Sequence, residues 1–276
     1  MIEKSILITG CSSGIGYESA LYLHHNGYRV FATARDEDDV QALQDEGLTA
    51  LQLDVTDMDS IDHALQQILE ATGGTLYALF NNAGYGQPGA LEDLPTYALR
   101  EQFETNLFGL HELTRRIIPI MRQQGYGRII QHSSVLGLIA LRFRGAYNAS
   151  KYAIEGLCDT LRLELHESNI FVITMNTGPI SSHFRDNATE HFLENIDVEN
   201  SQFTTEYHEE VLARKEQKQQ DDPWTKEPIE VIAKLLLALE KPKPKPRYYV
   251  TTATYLLGTL KRLLPTRWLD AILIKI

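Results

Sequence analysis

The sequence predicts an α/β fold, a doubly wound parallel sheet, and three observations carry that expectation. Short apolar runs alternate with stretches of helical periodicity along most of the chain, the order in which strands and helices follow one another around a parallel sheet. The runs are apolar throughout, as strands are when helices cover both sheet faces. A glycine-rich turn, Gly10 to Gly16, joins the first run to the first helical stretch, where sheets of this kind bind ligands.

The first strand is Ser5-Ile6-Leu7-Ile8-Thr9, and helical spacing then holds from Gly14 to Asn26 until Gly27 stops it. Residues 29–34, 49–54 and 77–81 read as the next strands, with helices near 38–46 and 60–72. A helix over 106–123, a strand at 128–132, a long helix over 146–167 and a strand at 171–175 continue the alternation. After Gly178-Pro179 the pattern breaks, and residues 181–228 are polar, acidic and weakly periodic. They read as a solvated insertion or as a mobile lid over substrate, and their place after a strand's carboxyl end favours the lid. Residues 229–239 form a helix, and Lys241-Pro242-Lys243-Pro244-Lys245-Pro246 a stiff linker to a last strand near Tyr248.

With 276 residues, 43% hydrophobic and 23% charged, the whole of 1–276 is expected to be one soluble domain. A net charge of -11 disfavours nucleic-acid partners, which need concentrated basic surface. Cys11 and Cys158 are too few for a disulfide framework, and the start lacks the zones of a signal peptide; a cytoplasmic location is expected. The uncharged stretch 248–260 is too short to span a membrane. His24 and His25 are adjacent and no His-Glu-x-x-His occurs, so no metal site is expected. The long helices beginning at Asn106 and Ala146 can pair between subunits, which leaves a homo-oligomer open.

Charge is segregated. Residues 241–276 carry +7 and residues 1–240 carry -18. With Leu256, Leu257, Leu260, Leu263 and Leu264 at helical spacing, this basic tail can lie on an anionic membrane surface. The alternative is a helix packed beside the substrate pocket or against a second subunit, which is favoured because amphipathic helices usually face protein.

Thr9-Gly10-Cys11-Ser12-Ser13-Gly14-Ile15-Gly16 leads into a helix N-terminus, where backbone amides and the helix dipole favour a pyrophosphate. The spacing differs from Gly-x-Gly-x-x-Gly, and a structural turn without ligand is the competing reading; the position at the first strand-to-helix turn weighs against it. At the end of the second strand, Ala34 stands where an NAD-binding acid would be, and Arg35 offers a planar fork for a 2′-phosphate. NADP(H) is therefore favoured over NAD(H). Asp36, Glu37, Asp38 and Asp39 either repel that phosphate or supply first-turn acids to the next helix.

Tyr147 and Lys151 stand at i and i+4, on one face of a helix. A phenol titrates near ~10, so proton transfer near neutrality needs a nearby positive charge, which Lys151 and an oxidised nicotinamide can supply. An incidental surface pair is the bland alternative, and neighbouring motifs weigh against it. Ser134 follows a strand, thirteen residues before Tyr147; Asn81-Asn82-Ala83-Gly84 ends the fourth strand; Asn106 begins or interrupts a helix.

In this order and spacing the motifs resemble the shorter, single-domain branch of the short-chain dehydrogenase/reductase family. The family's Thr-Gly-x-x-x-Gly-x-Gly is met from Thr9 to Gly16, its Asn-Asn-Ala-Gly from Asn81 to Gly84, and its Asn-Ser-Tyr-Lys tetrad by Asn106, Ser134, Tyr147 and Lys151. The likeness covers roughly residues 4 to 185. It implies a Rossmann fold and an NADP-dependent oxidoreductase that moves a hydride between the nicotinamide and a carbonyl or alcohol carbon. Tyr147 is then the general acid/base, Ser134 orients the substrate oxygen, Lys151 holds the ribose and lowers the phenol's pKa, and Asn106 positions a water. Cofactor contacts are implied for Gly10, Ser12, Ser13, Gly14, Ile15, Gly16, Arg35, Asp54, Val55, Asn82, Ala83, Gly84, Tyr147, Lys151, Pro179, Ile180 and Ser182. Gly178-Pro179 reverses the usual Pro-Gly, similar to 17β-hydroxysteroid and retinol dehydrogenase-like members, and Ser182 replaces the usual threonine. The Cys11-Ser12-Ser13 loop and the Leu263-Leu264-Pro265 tail are similar to bacterial NADP-dependent aldehyde or ketone reductases. Leu138, Ile139, Leu141 and Phe143 point to a lipophilic carbonyl. A dinucleotide sensor or a nucleotide-sugar epimerase are rival readings; the intact Tyr147, Lys151 and Ser134 count against the first, and the glycine spacing and short carboxyl-terminal part against the second.

Overall fold

The computed structural model describes residues 4–213 and 223–276. Seven strands form one sheet: β1 (Ser5–Ile8), β2 (Arg29–Ala34), β3 (Thr49–Gln52), β4 (Ala78–Asn81), β5 (Gly127–Ser134), β6 (Ile170–Thr177) and β7 (Arg247–Tyr249). Their order is β3-β2-β1-β4-β5-β6-β7, with every pairing parallel. The winding direction reverses between β1 and β4, and a crevice opens there beyond the carboxyl ends of the strands.

The unbroken apolar runs follow from the two-sided burial of this sheet. In β1, Ile6 and Ile8 belong to one core with helices α1 (Gly14–His25) and, late in the chain, Pro228–Glu240. Leu7, pointing the other way, joins a second core with α3 (Met58–Thr72), α5 (Leu110–Gln124) and α6 (Gly145–Glu164). The short helix α2 (Glu37–Asp45) follows β2 and is mostly exposed, with only Leu43 buried. Entry to α3 is fixed by Asp57, whose carboxylate accepts the backbone N–H groups of Asp59 and Ser60, and Gly73 ends it in the left-handed conformation.

Several boundaries differ from the sequence reading. β5 runs on to Ser134 and β6 to Thr177, through Ser133, Ser134, Asn176 and Thr177, all buried polar residues that an apolar criterion excludes. The helix expected from Asn106 is preceded by α4 (Thr96–Phe103), and a π-helical segment, Glu104–Gly109, joins it to α5. Asn106 thus interrupts one long helix. Within the expected insertion lie α7 (Phe184–Asn195), a helical turn at Thr204–Glu206 and a π turn at Tyr207–Leu212. Only Thr189 and Phe192 of α7 are buried, which explains its weak periodicity. The segment still has a core of its own: Phe192, Ile196, Tyr207 and Val211 pack with Ala90 and Phe143.

After α8 (Pro228–Glu240), the Lys-Pro linker is tied to the sheet, since Arg128 donates to the Lys241 carbonyl at 2.9 Å and Thr174 N–H to that of Pro246 at 2.9 Å. The tail forms α9 (Thr252–Leu263) and α10 (Thr266–Leu273). Leu257 and Leu273 pack on Val135, Leu136 and Ile139, whereas Leu256 and Leu263 face outward, so the five leucines do not make one buried stripe. Among the described residues no helix is long and apolar enough to cross a membrane.

Candidate active site

A cleft of about 800 Å³ lies over the carboxyl ends of β1, β4, β5 and β6. Its walls include Gly10, Ser12, Ser13, Gly14 and Ile15; Arg35, Asp54 and Val55; Asn82, Ala83 and Gly84; and Ser134, Tyr147, Lys151, Pro179, Ile180 and Ser182. The sequence-derived set is thus gathered in one place, with two exceptions. Gly16 and Asn106 stand behind the wall.

The glycine turn shows why. Gly10 and Gly14 have φ of +69° and +58°, which L side chains rarely adopt. A Cβ on Gly10 would come within 2.8 Å of the Ala83 Cα, and one on Gly16 within 2.1 Å of the Gly10 carbonyl oxygen. Gly16 therefore serves the packing of the turn on its own helix rather than the cleft. Thr9 Oγ1 accepts from the N–H groups of Asn82 and Ala83 at 3.0 and 2.9 Å, and Asn82 Nδ2 donates to the carbonyls of Thr9 and Gly10 at 2.9 and 3.0 Å. The Asn-Asn-Ala-Gly segment is in this way laced to the turn. Ser13, the α1 N-cap, makes no side-chain cap bond, and the first turn of α1 holds no acid. Amides and dipole there suit an anion, so the turn fits a dinucleotide's pyrophosphate. Cys11 is fully buried, and burial pushes its thiol up to about 12, so it packs and does not react.

At the far end Ala34 is buried and the Arg35 side chain is 71% exposed, 3.6 Å from Asp36. Asp36 and Asp39 line the same rim. Asp54 Oδ1 accepts from both N and Oγ1 of Thr56 at 2.8 and 2.7 Å, which fixes the carboxylate at the cleft edge.

At the other end α6 presents Tyr147 and Lys151 one turn apart, the ammonium 5.5 Å from the centre of the phenol ring. Lys151 donates to the His132 carbonyl at 2.7 Å. Burial pulls the ammonium down to about 8, partly offset by Glu155. The phenol is pushed up to about 12 by burial, while its hydrogen bond with Ser134 pulls the other way. This is the reverse of the lowering expected from Lys151: in the chain alone, desolvation of the phenolate by burial dominates. Ser134 Oγ itself accepts from Leu136 N–H at 3.1 Å.

Asn106 is fully buried in the π segment. Its Oδ1 accepts from Tyr85 N–H at 3.1 Å, and its Nδ2 donates to the Tyr85 carbonyl at 2.9 Å and to Ser150 Oγ at 3.3 Å. Its side chain thus acts on the site by holding the Tyr85 loop against α6. Gly109, closing the same segment, leaves no room for a Cβ beside the Val55 carbonyl.

One residue of the site was missed from sequence. His132 lines the cleft, its Nδ1 2.9 Å from Asn82 Oδ1 and its Nε2 3.2 Å from Thr177 Oγ1. Because Asn82 Nδ2 is already donating, its Oδ1 accepts the proton on Nδ1. Burial and the charge of Lys151 pull the imidazole down to about 3, so it is neutral and joins Asn82, in β4's exit, to Thr177, in β6. The signal was a polar residue closing an apolar strand.

Of the four residues expected to make the pocket lipophilic, only Leu141 lines it. Ile139 is packed with Val135 and Leu136, and Phe143 belongs to the core around Tyr207. Leu136, Phe184, Ala188 and Val211 are among the other apolar residues of the wall.

The family model of the short chain dehydrogenases matches residues 4–192. An uncharacterized oxidoreductase of Escherichia coli, YbbO, is 41% identical over 273 residues, covering 99% of this chain and 95% of its own. Human 17-beta-hydroxysteroid dehydrogenase type 1 is 32% identical, covering 91% and 78%. A variant of actinorhodin polyketide ketoreductase solved with NADPH superposes with a TM-score of 0.73 at 26% identity, over 90% of this chain and 95% of that one. Likeness of this extent, on a sheet wound in the expected order, makes the chain an enzyme of the short-chain dehydrogenase family of oxidoreductases.

Proposed function

We propose that the protein reduces a lipophilic aldehyde or ketone to its alcohol with NADPH, or runs the same conversion in reverse. The observation that carries the reading is the Tyr147 hydroxyl bonded to Ser134, one turn from Lys151, in the cleft that begins at the uncapped end of α1.

When bound, the nicotinamide supplies the hydride to the carbonyl carbon, or takes it from the alcohol carbon. Ser134 Oγ holds the substrate oxygen beside Tyr147. Tyr147 donates its proton to that oxygen as the carbon–oxygen double bond becomes single, and accepts it back in the oxidative direction. Lys151 binds the ribose hydroxyls and, charged below about 8, stabilises the phenolate left behind. Asn106 keeps the Tyr85 loop and α6 in register, and any water relay from Lys151 depends on that register. Arg35 takes the 2′-phosphate and Asp54 the adenine edge. The segment from α7 to Leu212 acts as a lid, since Phe184, Ala188, His191 and Val211 face the substrate end.

The apolar wall fits retinal-like or steroid-like carbonyls as well as long aldehydes. Oxidation of NADPH, followed by absorbance against a panel of aliphatic aldehydes, ketosteroids and retinal, tests the reading. Turnover of at least one lipophilic member is expected. Tight NADPH binding without turnover of any of them would favour a dinucleotide sensor.

A further inference from the structure

A second cavity, of about 400 Å³, lies away from the cleft between α8, the Lys-Pro linker, β7 and α9. Lys234, Lys241, Lys243, Lys245 and Arg262 converge on it, with Arg247 and three tyrosines. Glu155 and Asp159 are engaged by Arg247, and Glu240 by Lys4. Among the described residues the five other cations form no ion pair. In a chain with 37 acids and 26 bases, five unpaired cations around one hollow mark a place for an external anion.

The surface beside this cavity is unusual in a different respect. Seven of the nineteen large apolar or aromatic side chains exposed in the described residues fall within 255–276. Leu263, Trp268 and Ile274 are 73%, 67% and 69% exposed. Tyr255 and Arg262, on α9, line the cavity itself, so the cationic and apolar surfaces are continuous. The opposite face of the same helices is packed: Leu257 and Leu273 meet Val135, Leu136 and Ile139, and Leu136 is a wall of the cleft.

We propose that α9, α10 and the cavity beside them form a docking surface for an anionic phospholipid membrane, the cavity receiving a lipid phosphate and the outward face of α9 and α10 entering the interface. Clustered Lys and Arg respond to the negative potential of such a surface within a Debye length, so the +7 of residues 241–276 is felt locally despite the acidic remainder. Exposed leucine, isoleucine and tryptophan beside those cations supply the apolar insertion that a soluble anion does not use. A second copy of the chain offers charge, since residues 1–240 carry -18, but acidic surface gives no match for the apolar face. This docking does not depend on the chemistry proposed for the cleft.

The test uses the full chain with phosphatidylcholine vesicles, with and without one-third phosphatidylglycerol. Co-sedimentation with the anionic vesicles, reversed by high salt, is expected, together with a blue shift of Trp268 emission in a Trp224→Phe background. The fourfold variant Lys241→Glu, Lys243→Glu, Lys245→Glu, Arg262→Glu should partition at least tenfold less, as should Leu263→Ser with Trp268→Ser. Unchanged NADPH binding would show that both variants are folded. Equal binding to neutral vesicles, or none to anionic ones, overturns the proposal. So does saturable binding of inorganic pyrophosphate that is indifferent to Leu263→Ser and Trp268→Ser while vesicles are ignored, which would assign the cavity to a soluble phosphate. Concentration-dependent dimerisation abolished by Trp268→Ser, again without vesicle binding, would assign the surface to a second copy.

Discussion

Tyr147 and Phe184 meet edge to face, their ring centres 5.4 Å apart, so the first residue of α7 touches the phenol that stands at the chemical end of the cleft. The same ring also closes on the loop after β4, since Phe184 Cζ lies 3.0 Å from where a Cβ on Gly86 would be. An aromatic pair contributes about 0.5–1.5 kcal/mol beyond its buried area. Phe184→Ala should therefore raise KM for a lipophilic carbonyl by roughly two- to tenfold. NADPH affinity, measured by fluorescence titration, should stay as it is.

Tyr147→Phe keeps the ring and its contact with Phe184 and removes only the hydroxyl. A positioned general acid contributes about 10²–10⁴-fold, and turnover should fall by at least that much. NADPH binding by calorimetry should be nearly unchanged; retained turnover would remove Tyr147 from the chemistry.

On the proposed mechanism, Lys151 should give the reaction an alkaline limb. Burial favours its neutral form and places its titration at about 8 rather than 10.5, so the ammonium is present below about 8 and lost above it. NADPH-dependent reduction should decline as pH rises through that value. Lys151→Arg keeps the charge at any accessible pH, and whatever activity survives should show no limb there.

His132 should make folding stability sensitive to acid. Its folded value of about 3 lies below the ordinary 6.5, so between these the unfolded chain binds a proton that the folded chain refuses, and stability falls as pH drops below about 6.5. The upper bound is about 1.4 kcal/mol per pH unit, tempered by the part of the ring that faces the cleft. Tm measured from pH 7 to 5 should fall more steeply for the native chain than for His132→Gln.

Arg35 is the residue on which the proposed preference for NADPH rests. Its fork, exposed at the rim, is positioned for a phosphate, and a hydrogen bond to a charged group contributes about 1.5–3 kcal/mol. Arg35→Ala should weaken NADPH by roughly ten- to a hundredfold and leave NADH unaffected. Equal affinities for the two in the native chain would remove the preference.

The sheet, its helices and most of the cleft were legible because they rest on local signals. A strand buried on both faces, such as Ile6-Leu7-Ile8, declares itself, and glycines such as Gly10 and Gly14 stand where the backbone needs a left-handed turn. What escaped depends on contacts between distant segments. The π segment at Asn106 exists where Gly109 meets Val55 and the amide reaches Tyr85, neither of which is adjacent in sequence. The role of His132 needs Asn82 and Thr177 beside it. Phe143 was expected in the substrate pocket and instead packs on Tyr207, because the partner that claims it lies some sixty residues later. The phenol's upward shift had no sequence signal, since burial of a hydroxyl is a property of the assembled cleft.

The small core centred on Tyr207 shares no buried side chain with the cores on the two faces of the sheet, and its hydroxyl is held by Asp93 and the Ala90 N–H. The region hangs from the two loops that follow β4 and β5, Ala90 and Asp93 coming from the first and Phe143 from the second. On the proposed function, substitutions there should retune which molecules are admitted, while the glycine turn after β1 keeps its own ties to Asn82 and Ala83.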